Sequence, residues 1–218
     1  MIMHRQTTHR IILLGPMGSG KGTQAELISQ QLKIPSISTG DIYRREMANN
    51  TDLGAMISSY YHQGLLVPDD ITNALVEIRL DQPDCEQGFI LDGYPRNINQ
   101  AKSLERMTAI TDVISVDVSD REAIFRIHGR VVCNCGLSYH LRFNPPKKEG
   151  VCDGCGGQLY HRKDDDAEQA LRKRLEIYHQ EVKPLVDFYK GKNILHQING
   201  EQDIQDVHKD IMKVLKLK

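Results

Sequence analysis

A glycine-rich segment with one lysine, residues 15–23 (Gly-Pro-Met-Gly-Ser-Gly-Lys-Gly-Thr), has the residue types needed to hold phosphate. Its glycines allow successive backbone N–H groups to converge on phosphate oxygens without obstruction by Cβ atoms. Lys21 adds a mobile positive charge suited to β- and γ-phosphates. We therefore predict a nucleotide-phosphate site formed by Gly18, Ser19, Gly20, Lys21, Gly22 and Thr23.

The flanking sequence supports a phosphate-binding loop (P-loop). The apolar run at residues 10–15 predicts a buried parallel strand, and the apolar stripe at residues 22–32 predicts a helix. This strand–loop–helix context is what the P-loop pattern requires, and the helix N-terminus adds partial positive charge. A hydroxyl residue usually follows the lysine directly, whereas here Gly22 precedes Thr23. This leaves open whether Thr23 ligates Mg²⁺ directly or through water.

Further cations are available for phosphoryl chemistry. A phosphoryl group passing between two nucleotides spreads negative charge over its equatorial oxygens. Arginine suits this charge because its planar guanidinium binds phosphate oxygens in pairs. Little acid–base chemistry is needed, so positioning and charge stabilisation carry such a reaction. The candidates are Arg44, Arg96, Arg130, Arg162 and Arg174.

Two aspartates are candidates for holding Mg²⁺. Asp92 ends the apolar run at residues 88–92, and ligand sites of open α/β sheets lie at the carboxyl ends of strands. A carboxylate there can hold waters of the Mg²⁺ shell, because Mg²⁺ keeps several of its waters. The alternative for Asp92 is a helix cap. Asp41 fits a helix cap and a contact with Mg²⁺-bound water equally well.

Four of the five cysteines are clustered in sequence, at Cys133, Cys135, Cys152 and Cys155. Four thiolates from two turns suit tetrahedral Zn²⁺, with every coordination position filled by protein. We predict a structural zinc that replaces a missing core, with free thiols as the alternative. Cys85 lies outside this cluster, and we expect an inert thiol.

The pattern of the whole chain predicts an α/β fold with a parallel sheet, because strands alternate with helices. Strands are expected at 34–37, 88–92, 113–118 and 193–198. Helices are expected at 68–80, 120–129, 165–190 and 203–217, with two short helices in 40–63 that break near 49–50. Residues 131–163, rich in cysteine and glycine, predict a small β-rich insert.

Three further motifs make the sequence similar to a known family. They are Ser-Thr-Gly-Asp-Ile-Tyr-Arg at 38–44, Leu-Asp-Gly-Tyr-Pro-Arg at 91–96 followed by Gln100, and the arginine series from Arg126 to Arg174. With the P-loop, they resemble the long bacterial adenylate kinases, whose lid carries cysteines. The resemblance covers essentially the whole chain after residue 9. It implies the P-loop nucleoside monophosphate kinase fold, with a core (1–38, 68–129 and 168–218), a nucleoside monophosphate (NMP)-binding insert (39–67) and a lid (130–167).

The resemblance implies reversible, Mg²⁺-dependent transfer between ATP and AMP to give ADP, and a role in nucleotide biosynthesis and adenine nucleotide homeostasis. The catalytic residues would be Lys21, Asp92, Arg96, Arg130, Arg162 and Arg174. ATP would contact the P-loop residues together with Arg126, Arg130, Ser138, Tyr139 and Gln202. AMP would contact Thr39, Arg44, Leu65, Leu66, Val67, Gly93, Tyr94, Pro95, Arg96, Gln100, Arg162 and Arg174.

The sequence departs from the family pattern at three places. Thr39 and Gln100 favour AMP, although Asn97 gives the second motif a slight similarity to UMP/CMP kinases, which are the alternative. The first cysteine turn is Cys-x-Cys, where the family has Cys-x-x-Cys. The interval from Arg162 to Arg174 is one residue longer than usual, so an alternative alignment gives Lys163 the role of Arg162.

Composition limits the other functions. The 28 basic and 29 acidic residues give a net charge of −1, which argues against nonspecific nucleic-acid binding and weakens a zinc-dependent nucleic-acid module. The Asn-Lys-x-Asp signature of GTPases is absent from the sequence. No apolar stretch approaches the length of a membrane span, and the first residues lack the apolar region of a signal peptide. We expect a cytoplasmic monomer with no nucleic-acid or membrane partner.

Overall fold

The computed structural model describes residues 8–49, 51–63, 65–162, 165 and 168–216. Its strands are β1 (His9–Leu14), β2 (Ser36–Ser38), β3 (Gly88–Asp92), β4 (Asp112–Asp117), β5 (Arg130–Val132), β6 (Ser138–His140) and β7 (Leu195–Asn199). Its α-helices are α1 (Lys21–Leu32), α2 (Thr39–Ala48), α3 (Asp52–Tyr61), α4 (Asp69–Leu80), α5 (Ile98–Met107), α6 (Asp120–His128), α7 (Glu168–Ile177), α8 (Pro184–Lys190) and α9 (Ile204–Val214).

The core is a parallel sheet of five strands in the order β2-β3-β1-β4-β7. Side chains alternate between the two faces of a strand, so β1 supplies both cores. Ile11 and Leu13 pack in one apolar cluster with residues of α1 and α9. Ile12 and Leu14 pack in the other with residues of α5 and α8. The predicted α/β class and parallel sheet are therefore confirmed.

The insert after α6 is a small separate layer. Strands β5 and β6 pair antiparallel, and isolated bridges add Val132 to Tyr160 and Val151 to Gln158. Val131, Tyr139 and Leu159 form its apolar cluster together with two of the cysteines. This agrees with the β-rich insert predicted from the sequence. Such a small cluster offers little apolar burial of its own.

One helix was not predicted from the sequence, and one prediction about a helix was wrong. Helix α5 was not predicted, although Asn97 is a typical N-cap residue and its Oδ1 accepts from the backbone N–H of Gln100 at 2.8 Å. The continuous helix predicted at 165–190 is interrupted by a π-helical turn, Tyr178–Val182. There the N–H of Lys183 donates to the carbonyl of Tyr178, five residues back, at 2.8 Å. Pro184 follows and has no N–H to continue the α-helical pattern.

The other predicted elements agree with the structure, with small shifts at their ends. The 40–63 region forms α2 and α3, with Thr51 capping α3 by accepting from Gly54 at 3.0 Å. Ser38 occupies the N-cap position of α2, so Asp41 lies within the first turn and not at the cap. Lys163, the alternative to Arg162, lies outside the described residues.

Among the described residues, no helix is both long enough and apolar enough to cross a membrane.

Candidate active site

A cleft of about 720 Å³ opens at the carboxyl ends of β1 and β3. Its walls come from the P-loop, the ends of α2 and α3, the turn after β3, the β5–β6 insert and the α7 region. The carboxyl end of a parallel sheet is where ligands of this fold class bind. The architecture therefore brings together the segments that the sequence singled out separately.

The P-loop backbone requires glycine at particular positions. Gly15 and Gly18 have φ of +143° and +74°, and a Cβ on either residue would lie 2.4 Å from a backbone oxygen. Gly20 has φ of +90° and precedes the first turn of α1. The close backbone approach at Gly15 and Gly18 leaves no room for a Cβ, and positive φ strains most residues other than glycine. The loop is thereby shaped to direct N–H groups and the α1 N-terminus into the cleft.

The ammonium group of Lys21 lies within reach of several positively charged side chains. Its Nζ donates to the carbonyl oxygen of Pro16 at 2.7 Å. Burial lowers its pKa from 10.5 to about 8, Asp92 opposes that shift, and the positive charges of Arg96, Arg130 and Arg174 add to it. Positive charges placed so close together repel one another, and an anion bound between them relieves that repulsion. The arrangement suits a polyanion such as a chain of phosphates.

Asp165 holds two of these arginines and was not named as a site residue from the sequence. Arg130 donates Nε and Nη2 to its carboxylate at 2.9 and 2.6 Å, and Arg174 donates Nη1 at 3.3 Å. The Asp165 side chain is only 4% exposed, so its charge needs these partners. The sequence signal was the acidic run that follows Arg162. Asp165 fixes the direction of both guanidinium groups towards the cleft.

The turn after β3 organises the opposite wall. Arg96 donates Nε to the carbonyl of Gly93 at 2.8 Å, and its backbone N–H donates to Oε1 of Gln100 at 2.8 Å. Gln100 in turn donates Nε2 to Asp69 at 2.7 Å, and the hydroxyl of Thr39 donates to the Gly93 carbonyl at 2.9 Å. In this structure Thr39 and Gln100 therefore support the Arg96 turn. Their predicted contact with AMP stays a prediction.

The residues predicted to bind nucleotide or to act in catalysis divide into two groups. Most of them line the cleft: Gly18, Ser19, Gly20, Lys21, Gly22, Thr23, Arg44, Leu65, Leu66, Asp92, Gly93, Pro95, Arg96, Arg126, Arg130, Ser138, Tyr139, Arg162, Arg174 and Gln202. The others are buried behind its described lining: Thr39, Val67, Tyr94 and Gln100.

Arg126 lies where the insert meets the core. Its Nε donates to Glu122 at 2.7 Å and its Nη1 donates to the carbonyl of Gly200 at 2.8 Å. The guanidinium carbon is 5.4 Å from the ring centroid of Phe143, which also lines the cleft. The planar group is thus fixed beside an aromatic ring at the entrance. Phe143 was not identified from the sequence, because one phenylalanine in a loop gives no signal.

The four clustered cysteines fit a zinc ion. Their Sγ atoms all lie within 4.8 Å of one another, with Cys133 and Cys155 3.4 Å apart and Cys135 and Cys152 3.6 Å apart. Zn–S bonds of about 2.3 Å in a tetrahedron put the sulfurs about 3.8 Å apart, close to these distances. A Cβ on Gly157 would lie 3.2 and 3.3 Å from two of the sulfurs. The Cys-x-Cys turn therefore does not prevent the four thiols from converging.

A P-loop on a five-stranded parallel sheet, with arginines from several other segments around its lysine, defines a phosphotransferase of the nucleoside monophosphate kinase class. The family model for adenylate kinase matches residues 13–194. The chain belongs to the adenylate kinase family.

Curated relatives agree with this assignment over most of their length. The chain is 50% identical over 212 residues to the adenylate kinase of Caldanaerobacter subterraneus subsp. tengcongensis, covering 94% of this chain and 96% of that protein. It is 49% identical over 213 residues to the adenylate kinase of Thermoanaerobacter sp. strain X514, covering 94% and 97%. It is 48% identical over 212 residues to that of Caldicellulosiruptor saccharolyticus, covering 94% and 98%.

Proposed function

We propose that this protein catalyses reversible, Mg²⁺-dependent phosphoryl transfer between ATP and AMP, giving two ADP. The observation that carries the proposal is that Arg96, Arg130 and Arg174 line the same cleft as Lys21 and lower its pKa by their positive charges. In the forward step, an oxygen of the AMP phosphate bonds to the γ-phosphorus of ATP, and the bond to the β–γ bridging oxygen breaks. Stabilising the charge of the transferring group is then the main task of the protein.

The positions of these residues in the cleft support a separate role for each group in that step. The P-loop N–H groups and Lys21 hold the ATP phosphates, and Arg44 and Arg96 hold the phosphate of AMP. Arg130 contacts the ATP phosphates, and Arg162 and Arg174 contact the transferring group. Asp92 and Thr23 both line the cleft and would supply oxygens of the kind Mg²⁺ prefers, Asp92 through bound water and Thr23 either directly or through water. When bound, Mg²⁺ neutralises phosphate charge and orients the phosphate chain.

We further propose that the NMP-binding insert (39–67) and the lid (130–167) close over the core (1–38, 68–129 and 168–218) when both nucleotides bind. Closure excludes water, which would otherwise accept the phosphoryl group. The protein acts as a monomer in the cytoplasm, where it serves nucleotide biosynthesis and adenine nucleotide balance. A reducing compartment also suits the cysteines, because all five lie in the part of the chain that the structure describes and none of them forms a disulfide there.

Acceptor specificity provides the test. With ATP fixed, AMP is expected to be phosphorylated with kcat/KM at least about a hundredfold above UMP, CMP and GMP, since a site built for one base leaves polar groups unpaired with another. Coupled detection of ADP with each monophosphate measures this. A preference for UMP or CMP would support the UMP/CMP kinase alternative and contradict our acceptor assignment.

We propose that the four cysteines bind a structural zinc. Removing it is expected to lower the melting temperature by roughly 10 °C, because the small insert loses the bonds that replace a core. Metal analysis should give about one zinc per chain in the protein and in Cys85→Ser, and none in Cys155→Ser. Cys85→Ser is the control because Cys85 lies outside the cluster. An unchanged melting temperature after verified removal would count against the structural role.

A further inference from the structure

We propose that Tyr61 is a positioning residue, whose hydroxyl orients the guanidinium of Arg44 for the acceptor phosphate. This inference rests on the proposed function and adds to it a residue outside the motifs described above. Tyr61 ends α3, whereas Arg44 lies on α2. Both residues line the cleft.

The contact is direct and specific. Nη1 of Arg44 donates to the Tyr61 hydroxyl oxygen at 2.7 Å, and Nη2 pairs with the carboxylate of Asp41. The guanidinium also lies against the backbone of Gly40, where a Cβ would be 3.2 Å from Nη1. A long arginine side chain is thereby held in one orientation. Its other N–H groups make no hydrogen bond within the part of the chain that the structure describes, so they can donate to a phosphate.

The tyrosine ring is itself held by its surroundings. Tyr61 packs edge-to-face on Tyr43 with ring centroids 6.4 Å apart, and on His62 at 5.8 Å. Tyr43 is buried with Ile57 in the apolar cluster beneath α2 and α3, and its hydroxyl lies 2.7 Å from that of Thr72. The phenol oxygen is therefore fixed by packing, so it can act as a rigid acceptor for Arg44.

The two partners of Arg44 differ in how they respond to an incoming phosphate. The carboxylate of Asp41 is negatively charged and 61% exposed, so it competes with a phosphate for the same guanidinium and repels it. The hydroxyl of Tyr61 is neutral and accepts a hydrogen bond without repelling an anion. We infer that the Tyr61 contact persists when the phosphate binds, whereas the Asp41 contact weakens.

The test is Tyr61→Phe, which keeps the ring and removes only the hydroxyl. The KM for AMP is expected to rise about three- to tenfold, the size that loss of one partly exposed hydrogen bond to a charged group supports. The KM for ATP and the melting temperature are expected to stay close to those of the unaltered protein. Tyr60→Phe is the matched control, because it makes the same change one residue earlier, outside the described lining of the cleft.

The double variant with Arg44→Ala distinguishes positioning of Arg44 from other roles of the Tyr61 hydroxyl. In Arg44→Ala, Tyr61→Phe is expected to cause no further rise in the KM for AMP. Three results would each overturn the proposal. In Tyr61→Phe, the KM for AMP could stay within twofold of that of the unaltered protein, or both KM values could change equally together with a lower melting temperature. In the Arg44→Ala background, the same rise in the KM for AMP could persist. If the unaltered protein failed to use AMP, the proposed function itself would be wrong.

Discussion

Lys21→Ala is expected to lower kcat by about a thousandfold or more. Lys21 supplies the charge nearest the loop that would cradle the β- and γ-phosphates, and loss of even one neutral donor from such a site commonly costs a hundred- to a thousandfold. No other lysine among the described residues lines the cleft. Steady-state ADP formation from ATP and AMP, with both substrates saturating, measures the effect.

The same variant is expected to fold normally. In the folded protein the pKa of Lys21, about 8, lies below its ordinary value of 10.5. At pH 7 the side chain is charged in both states, so this shift means that its positive charge lowers the free energy of unfolding. Removing the side chain therefore should not lower the melting temperature. Lys102→Ala, an exposed change on α5, is the control and should leave kcat within about twofold. Near-normal turnover in Lys21→Ala would refute the mechanism.

Arg174→Ala is expected to lower kcat by about a hundred- to a thousandfold. The positive charge of Arg174 helps to lower the pKa of Lys21. Its guanidinium is oriented by an ion pair with the buried carboxylate of Asp165. A charge of this kind stabilises the transferring group more strongly than it stabilises bound substrate, so kcat should fall more than either KM rises. Asp165 keeps its two-point contact with Arg130, so the fold should be retained.

Arg172→Ala provides a matched control on the same helix. Its side chain is 71% exposed and pairs with Glu168, so it should change kcat by less than about twofold. Arg174→Lys should recover only part of the activity, because a lysine cannot reproduce the planar contact with phosphate. Equal losses in Arg172→Ala and Arg174→Ala would mean that general surface charge, and not a specific contact, accounts for the effect.

Much of the site could be predicted because it depends on short sequence patterns. The P-loop is one continuous segment whose glycines are required by local backbone geometry, so its residues could be named without a structure. The turn after β3 is equally local, and its predicted residues Gly93, Pro95 and Arg96 line the cleft. Helix α5 could also have been recognised, since Asn97 provides a cap and Ala101 and Leu104 provide a buried face.

The contacts between distant segments could not be predicted in this way. Arg130 and its partner Asp165 are 35 residues apart, and Gln100 and Asp69 are 31 apart. Sequence spacing states which charges are available but not which of them meet. The π-helical turn at Tyr178–Val182 is different, because it is local and Pro184 is its signal in the sequence: a proline has no N–H to continue the helical hydrogen bonds.

The sequence by itself determined the fold class, the phosphate loop, the four thiols and the family, because each depends on particular residue types at fixed local spacing. Only the tertiary structure decided how Arg44, Arg96, Arg130 and Arg174 are held. It placed Asp165 between two arginines, Gln100 behind Arg96, and the hydroxyl of Tyr61 against Arg44. The physical reason is that a hydrogen bond depends on distance and direction in space, and these arise only when the helices and the insert pack around one sheet.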